Sequence, residues 1–110
     1  MERLFAYGTL QPGGPNEHVL TNIGGEWSPA VIKGTLMEAG WGAGMGYPGL
    51  VLNENGDDVQ GYVFTSSNLN DRWTELDEFE GKEYERVVVS VSLPCGEQVQ
   101  AYIYVLRAIP

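Results

Sequence analysis

Residues 76–81 read Leu-Asp-Glu-Phe-Glu-Gly, and the rest of the chain can be organised around this stretch. Before and at the start of this stretch, the apolar residues Leu69, Trp73 and Leu76 recur at spacings of four and three, which is typical of the buried face of a helix. At about 100° per residue, Glu80 lies about 20° from Leu69 and therefore continues that apolar face. The pattern predicts one main helix whose last turn carries an inward-facing carboxylate.

The ends of this helix are also indicated by the sequence. Residues 65–68 are Thr-Ser-Ser-Asn, all of them residue types that cap a helix N-terminus. Gly81 suits the position just after a last helical turn. Of the other acids, Glu78 lies about 180° from Leu69 and is expected to face water, whereas Asp77, at about 80°, lies at the edge of the apolar face.

The inward direction of Glu80 allows two interpretations. In one, the helix frays and the side chain reaches solvent or pairs with Arg86, because the position of a last turn is uncertain by one or two residues. In the other, the carboxylate lies in an apolar pocket, where desolvation would raise its pKa and let it accept and donate protons near neutral pH. The sequence offers no accompanying serine, cysteine or metal nucleophile, so such a base suits a reaction whose nucleophile belongs to the substrate.

Short strands account for most of the remaining chain. Period-two alternation of apolar and polar residues is clear on both sides of the turn at residues 94–97, which predicts a hairpin. A second hairpin is predicted around the glycine-containing turn at residues 53–58. The strands are predicted at residues 3–7, 30–37, 50–52, 59–64, 84–93 and 98–106. About six strands, this one main helix and one short helix at residues 15–20 predict a single α+β domain over residues 1–110, built on a closed or nearly closed sheet.

Two glycine-rich loops interrupt these elements. The first begins at Gly8, between the first strand and the short helix, and such a loop can present backbone N–H groups to an anion, although the spacing alone favours a structural turn. The second, residues 40–49, combines five glycines with Trp41 and Tyr47. It is interpreted either as the wall of a pocket or as a surface loop held to the core by its aromatic side chains.

Composition excludes several classes of function. The 110 residues carry a net charge of −9, which argues against a basic surface for nucleic acid or anionic membrane. No apolar run approaches the ~20 residues of a membrane span, and no signal peptide is visible, so a cytoplasmic location is expected. Cys95 is interpreted as a turn residue and His18 as a residue on a helix face. With one cysteine and one histidine, neither a metal site nor a cofactor is expected.

Three motifs resemble those of the gamma-glutamylcyclotransferase-like family. They are residues 5–10 (Phe-Ala-Tyr-Gly-Thr-Leu), residues 76–81, and residues 84–86 (Tyr-Glu-Arg), which open the next strand. Residues 47–49 (Tyr-Pro-Gly) also resemble a loop of that family. The resemblance covers essentially the whole chain, with the motifs in the family's order and spacing.

The resemblance implies a small mixed β-barrel flanked by helices. It also implies a lyase or acyltransferase-type enzyme that cleaves a γ-glutamyl amide by internal cyclisation, releasing 5-oxoproline and a free amine. In that family the catalytic acid/base is the glutamate before the glycine of the Leu-Asp-x-x-Glu-Gly segment, here Glu80. The Tyr-Gly-Ser/Thr-Leu loop binds the glutamyl group, which corresponds here to Tyr7, Gly8, Thr9 and Leu10.

The spelling of residues 7–10 is most similar to the gamma-glutamylamine cyclotransferase branch. In that branch a histidine directly follows an asparagine, whereas Glu17 separates Asn16 from His18 here, so no role is assigned to His18. The expected partner is a small-molecule γ-glutamyl substrate, whose leaving amine would be sensed by loops around residues 40–49. The alternatives are a module that binds an acyl or amino-acid metabolite in the same pocket without turnover, and a related enzyme acting on a γ-glutamyl group of a larger molecule.

Overall fold

The structure is a computed structural model and describes residues 2–8, 10–14, 16–38, 48–80 and 84–106, with the backbone alone described at residues 36–38, 48–49, 80 and 106. Two α-helices and six β-strands lie within these ranges. In chain order they are β1 (Glu2–Ala6), α1 (Glu17–Thr21), β2 (Glu26–Glu38), β3 (Pro48–Leu52), β4 (Asp57–Ser66), α2 (Trp73–Glu80), β5 (Tyr84–Ser92) and β6 (Gln98–Leu106). A 3-10 turn, Leu69–Asp71, directly precedes α2.

The strands of the described chain form one sheet in the order β3-β2-β4-β1-β6-β5. A further pairing between β2 and β5, at Val31 and Ser92, closes five of these strands into a barrel and leaves β3 as an extra strand on β2. β1 runs parallel to β6, with Leu4 opposite Tyr102, and the other pairs are antiparallel. The predicted α+β fold, a small mixed β-barrel with one main and one short helix, is confirmed.

Two apolar clusters fill the two sides of the sheet. Alternation along β6 separates them, because successive side chains of a strand point to opposite faces. Ala101, Ile103 and Val105 join the cluster inside the barrel, which also contains Phe5, Ala30, Ile32, Leu50, Val59, Val63 and Val91. Tyr104 joins the cluster beneath the helices, with Leu4, Ala6, Leu10, Leu20, Phe64, Leu69, Trp73, Leu76 and Tyr84. The period-two pattern predicted for this strand is therefore confirmed.

The prediction that residues 53–58 join two paired strands of a hairpin is wrong. β3 and β4 both pair with β2 in the described register, β4 along residues 26–34 and β3 along residues 34–38. Gly34 is the junction, opposite both Leu52 and Asp57. A Cβ at this position would lie 2.7 Å from a Leu50 side-chain carbon, so glycine lets the backbones approach closely enough for β2 to hold both strands.

The predicted boundaries of the main helix and of β2 are also corrected. β4 continues through Ser66, and the main helix is an eight-residue α2 preceded by the separate 3-10 turn. The Ser66 hydroxyl caps no helix, because it donates to Gly24 O and accepts from the backbone N–H of Asn68. β2 begins at Glu26, four residues before the predicted start, and Pro29 is accommodated because residues 26–30 pair with β4 alone in the described register.

The hairpin of β5 and β6 is confirmed, with Tyr84 opposite Leu106 and Ser92 opposite Gln98. Its turn leaves Cys95 exposed and places Gly96 at a φ of 91°, where glycine is favoured. Of the helices in the described part of the chain, none is long and apolar enough to span a membrane.

Candidate active site

Tyr7, the first residue after β1, extends its ring toward the barrel cluster and stacks on Phe5 with ring centroids 6.3 Å apart. Its hydroxyl donates to the backbone oxygen of Tyr104 at 2.6 Å. The same hydroxyl accepts the backbone N–H of Leu50 at 3.1 Å. The side chain of Tyr7 thus joins β6 and β3 at the end of β1, because its hydroxyl is hydrogen-bonded to the backbone of both strands.

The loop that follows Tyr7 is built from consecutive turns. Gln11 donates its backbone N–H to Gly8 O and its side-chain amide to Tyr7 O, both at 3.3 Å. Glu17 of α1 reaches back to accept the N–H of Gly13 at 3.0 Å, and buried Leu10 anchors the loop in the cluster beneath the helices. These bonds hold the loop in one shape.

Two backbone N–H groups of this loop have no acceptor among the described residues. Within the described residues, the N–H groups of Gly8 and Leu10 donate to no hydrogen bond. Backbone N–H groups held without an acceptor form a site for a carboxylate or for a developing oxyanion. The backbone of the loop can therefore contact a ligand through these two N–H groups. Thr9, the remaining residue predicted in this loop, lies outside the described residues.

Helix α2 carries the second part of the predicted site. Its apolar face is buried as predicted, with Leu69 just upstream and Leu76 almost completely inaccessible, while Glu78 is exposed. The helix ends at Glu80, which confirms that this residue belongs to the last turn. The direction of the Glu80 side chain lies outside the description, so the inward carboxylate stays a prediction.

Asp77, one turn before Glu80, accepts three hydrogen bonds. Tyr104 donates its hydroxyl to Oδ1 at 2.7 Å. Arg86 donates Nε to Oδ1 at 3.0 Å and Nη2 to Oδ2 at 3.3 Å, a two-pronged ion pair. Arg86, which the sequence suggests as a partner for Glu80, therefore forms its ion pair with Asp77.

The guanidinium of Arg86 also stacks on aromatic rings. It lies 4.5 Å from the ring centroid of Trp73 and 5.1 Å from that of Tyr102. Guanidinium groups at such distances are attracted by the faces of aromatic rings. Arg86 in β5 therefore contacts both the first turn of α2, at Trp73, and its last turn, at Asp77.

Tyr104 is the residue that sequence reasoning missed. Its backbone oxygen binds Tyr7 and its hydroxyl binds Asp77, so it connects the loop at residues 7–10 with the last turn of α2. One feature of the sequence does point to this residue. Tyr104 follows Tyr102 by two residues, on the side of a strand that is expected to be polar because apolar and polar residues alternate along it. A tyrosine there suits burial beneath a helix with a polar partner for its hydroxyl.

Other residues considered from the sequence lie elsewhere. His18 is exposed on α1. Among the described residues, no group of three or more histidine, cysteine, aspartate or glutamate side chains could hold a metal ion. The loop at residues 40–49 lies outside the description except for Pro48 and Gly49, which begin β3.

Two surface grooves flank the pairing of β2 with β5, with volumes of about 460 and 420 Å³. They share Val31 and Ser92, and the larger one reaches Gln11. Neither is lined by Tyr7, Leu10 or α2, although Gln11, whose side chain donates to Tyr7 O, lines the larger one.

Replacing Tyr7 with phenylalanine is expected to destabilise the protein by about 1–3 kcal/mol, because Tyr104 O loses its donor and Leu50 N–H its acceptor. Urea unfolding followed by circular dichroism measures this change. Tyr62→Phe is the matched control, because the hydroxyl of half-buried Tyr62 makes no hydrogen bond with another described residue. Equal midpoints for the two variants would show that the Tyr7 hydroxyl does not hold the strands.

Comparison with solved structures supports the architecture. An AIG2-like protein from mouse superposes with a TM-score of 0.75 at 25% identity, covering 100% of this chain and 80% of its own. YkqA from Bacillus subtilis gives a TM-score of 0.74 at 28% identity over 96% of this chain, which matches 36% of that larger protein. A structure titled gamma-glutamyl cyclotransferase shares the fold, with a TM-score of 0.68 at 18% identity over 96% of this chain and 66% of its own.

Comparison with sequences assigns the family. A search of curated proteins gives no significant match. The model of the family described as "Gamma-glutamyl cyclotransferase, AIG2-like" matches residues 4–110, nearly the full length of the chain. That match spans the loop at residues 7–10, helix α2 and strands β5 and β6. The chain therefore belongs to the gamma-glutamyl cyclotransferase, AIG2-like family.

Proposed function

We propose that this protein is a cyclotransferase that converts a γ-glutamyl amide into 5-oxoproline and a free amine. The observation that carries the proposal is the connection made by Tyr104, which joins the loop at residues 7–10 to the last turn of α2. This connection links two motifs separated by about two-thirds of the chain, which supports assigning both to one site. Membership of the family agrees with this assignment.

In the proposed site, the backbone N–H groups of Gly8 and Leu10 hold the α-carboxylate or the γ-carbonyl oxygen of the substrate. Both groups are unused by the described protein, and both belong to a loop fixed by turns on either side. Donors that are already oriented stabilise negative charge without reorganising during the reaction. Tyr7 contributes indirectly, because its hydroxyl holds β3 and β6 beside the loop.

Glu80 acts as the general acid/base in this proposal. Its carboxylate takes a proton from the substrate's α-ammonium group, and the freed amine attacks the γ-carbonyl carbon of the same molecule. The tetrahedral intermediate collapses when Glu80 returns the proton to the leaving nitrogen, which breaks the γ-amide bond, and the second proton lost by the attacking nitrogen is taken up by the released amine, which departs as an ammonium ion. One C–N bond forms, one breaks, and no water is consumed.

Much of the proposed rate enhancement comes from the conformation of the substrate. Holding the glutamyl chain in a nearly cyclic pose makes the attack effectively unimolecular, and good alignment can contribute up to about 7–11 kcal/mol. The leaving group is an amine, in keeping with the sequence Tyr-Gly-Thr-Leu at residues 7–10, which is most similar to the gamma-glutamylamine cyclotransferase branch. The fixed loop and the adjoining helix end supply the rigid surface that such a pose requires.

A panel of γ-glutamyl amides with different leaving amines tests the proposal. The purified protein is incubated with each, and 5-oxoproline and free amine are quantified by mass spectrometry. Equimolar release of the two products from at least one amide is expected. Saturable binding of the amides without any product would contradict the proposal and identify the protein as a binding module.

A further inference from the structure

We propose that Asp77 is a positioning residue of this site, held by Tyr104 and Arg86 so that the last turn of α2 keeps a fixed place relative to the loop at residues 7–10. The inference rests on the proposed function, because the residue being positioned is Glu80. Asp77 and Glu80 are three residues apart in one helix, so fixing the first restricts the rotation of the turn that carries the second.

Tyr104 provides the link to the loop. Its ring is 5% exposed and packs in the cluster that also contains Leu76 of α2. Its backbone oxygen accepts the Tyr7 hydroxyl at 2.6 Å, and its own hydroxyl donates to Asp77 at 2.7 Å. A buried residue whose backbone and side chain are both hydrogen-bonded moves little, so a displacement of α2 would require the Tyr104–Asp77 bond to break.

Arg86 provides the link to the other end of the helix. Its guanidinium binds both oxygens of Asp77 and lies over the ring of Trp73, the first residue of α2. The buried indole N–H of Trp73 has no acceptor among the described residues, so packing and stacking define where this ring lies. Arg86 consequently fixes both ends of an eight-residue helix to β5.

The other ion pair of this region shows why Asp77 differs from an ordinary surface acid. Arg72 and Glu75 are joined at 3.1 Å, three residues apart and with both side chains largely exposed, and among the described residues neither side chain makes a hydrogen bond or ion pair with the barrel. The carboxylate of Asp77 is also 44% exposed, and exposed pairs contribute little to stability. The three donor groups that bind Asp77 come from two different strands. This arrangement fixes the orientation of the carboxylate more than it adds to the free energy of unfolding.

Two variants separate positioning from folding. Tyr104→Phe removes the hydroxyl that binds Asp77 but keeps the ring and the backbone oxygen that binds Tyr7. Asp77→Asn keeps an acceptor for Tyr104 but removes the charge that binds Arg86. The control is Glu75→Gln, which removes the charge of the neighbouring ion pair on the same helix.

The kinetic test uses an amide that the wild-type protein cyclises, at a temperature where circular dichroism shows every variant folded. We expect kcat to fall roughly 10- to 100-fold in both variants while KM stays within about two-fold, because the loop is intact and the acid/base is misplaced. The control is expected to match the wild type. Unchanged kcat in both variants, or a rise in KM with kcat unchanged, would overturn the inference.

A spectroscopic test does not depend on turnover. The side-chain carboxyl resonance of Glu80 is assigned in carbon-13 spectra by its loss in Glu80→Gln. We expect this resonance to move in Tyr104→Phe and Asp77→Asn and to stay in place in Glu75→Gln. A resonance that moves in none of them would overturn the positioning role, whereas a wild-type protein that makes no 5-oxoproline would overturn only the proposed function.

Discussion

Glu80→Gln is expected to lower kcat for γ-glutamyl amides by roughly 100- to 10,000-fold, the range that a general acid/base contributes. Glutamine has nearly the same shape as glutamate but cannot exchange a proton at neutral pH. Because Glu80 is the last residue of α2, after the buried Trp73 and Leu76, the substitution leaves the packed face of the helix unchanged. Release of 5-oxoproline measures turnover, and thermal unfolding verifies that the variant is folded.

The matched control for this variant is Glu78→Gln, the same chemical change two residues away on the same helix. Glu78 is exposed, so its substitution is expected to leave both kcat and the unfolding midpoint unchanged. Titration calorimetry should show that Glu80→Gln still binds a γ-glutamyl amide, since the loop at residues 7–10 is intact. Turnover by Glu80→Gln at the parental rate would assign the acid/base role to another group.

Leu76→Ala is expected to lower the free energy of unfolding by about 2–5 kcal/mol. Leu76 is 1% exposed and packs with Leu69, Trp73 and Tyr104 beneath α2, so truncation leaves a cavity between the helix and the sheet. In a domain of this size each kcal/mol shifts the melting temperature by about 4–8 °C. Differential scanning calorimetry and urea unfolding measure the change.

Phe79→Ala is the control for that prediction, because it also truncates a large apolar residue of α2. Phe79 is 45% exposed, and its removal is expected to change the free energy of unfolding by less than about 1 kcal/mol. Leu76 and Phe79 variants of equal stability would mean that α2 is not packed on the sheet through Leu76. The position of Glu80 relative to the loop at residues 7–10 would then no longer be fixed by that packing.

The parts of the fold that follow from local patterns were predictable. The two arms of the β5–β6 hairpin alternate strictly, and a continuous alternation leaves each side chain only one of two faces. The buried face of α2 was predictable for the same reason, because Trp73 and Leu76 recur at helical spacing. In both elements the residue types and the spacing of the apolar residues indicate the same secondary structure.

Strand partnership was not predictable from the same patterns. Residues 53–56 contain the turn types that join two strands of a hairpin, yet both flanking strands pair with β2. The reason is the length of β2, whose 13 residues can accommodate two partners in succession, with Gly34 at their junction. The choice of partner depends on contacts between strands that are distant in sequence, which no short window of sequence contains.

The site was predictable in its parts but not in its connections. The loop at residues 7–10 and the helix end at Glu80 were identified from motifs, whereas Tyr104 was assigned to a strand without a role. Its bonds reach across 97 residues to Tyr7 and across 27 to Asp77. Likewise the ion pair of Arg86 with Asp77, and not with Glu80, depends on how β5 lies against α2.

The identity and isotopic content of the product show which group attacks the γ-carbonyl carbon. The protein is incubated with a γ-glutamyl amide in water enriched in oxygen-18, and the products are analysed by mass spectrometry. Internal cyclisation consumes no water, so we expect unlabelled 5-oxoproline in amounts equal to the free amine. Glutamate carrying oxygen-18 in its γ-carboxylate would contradict the account, because it would show that water, and not the substrate's own amine, attacks the γ-carbonyl.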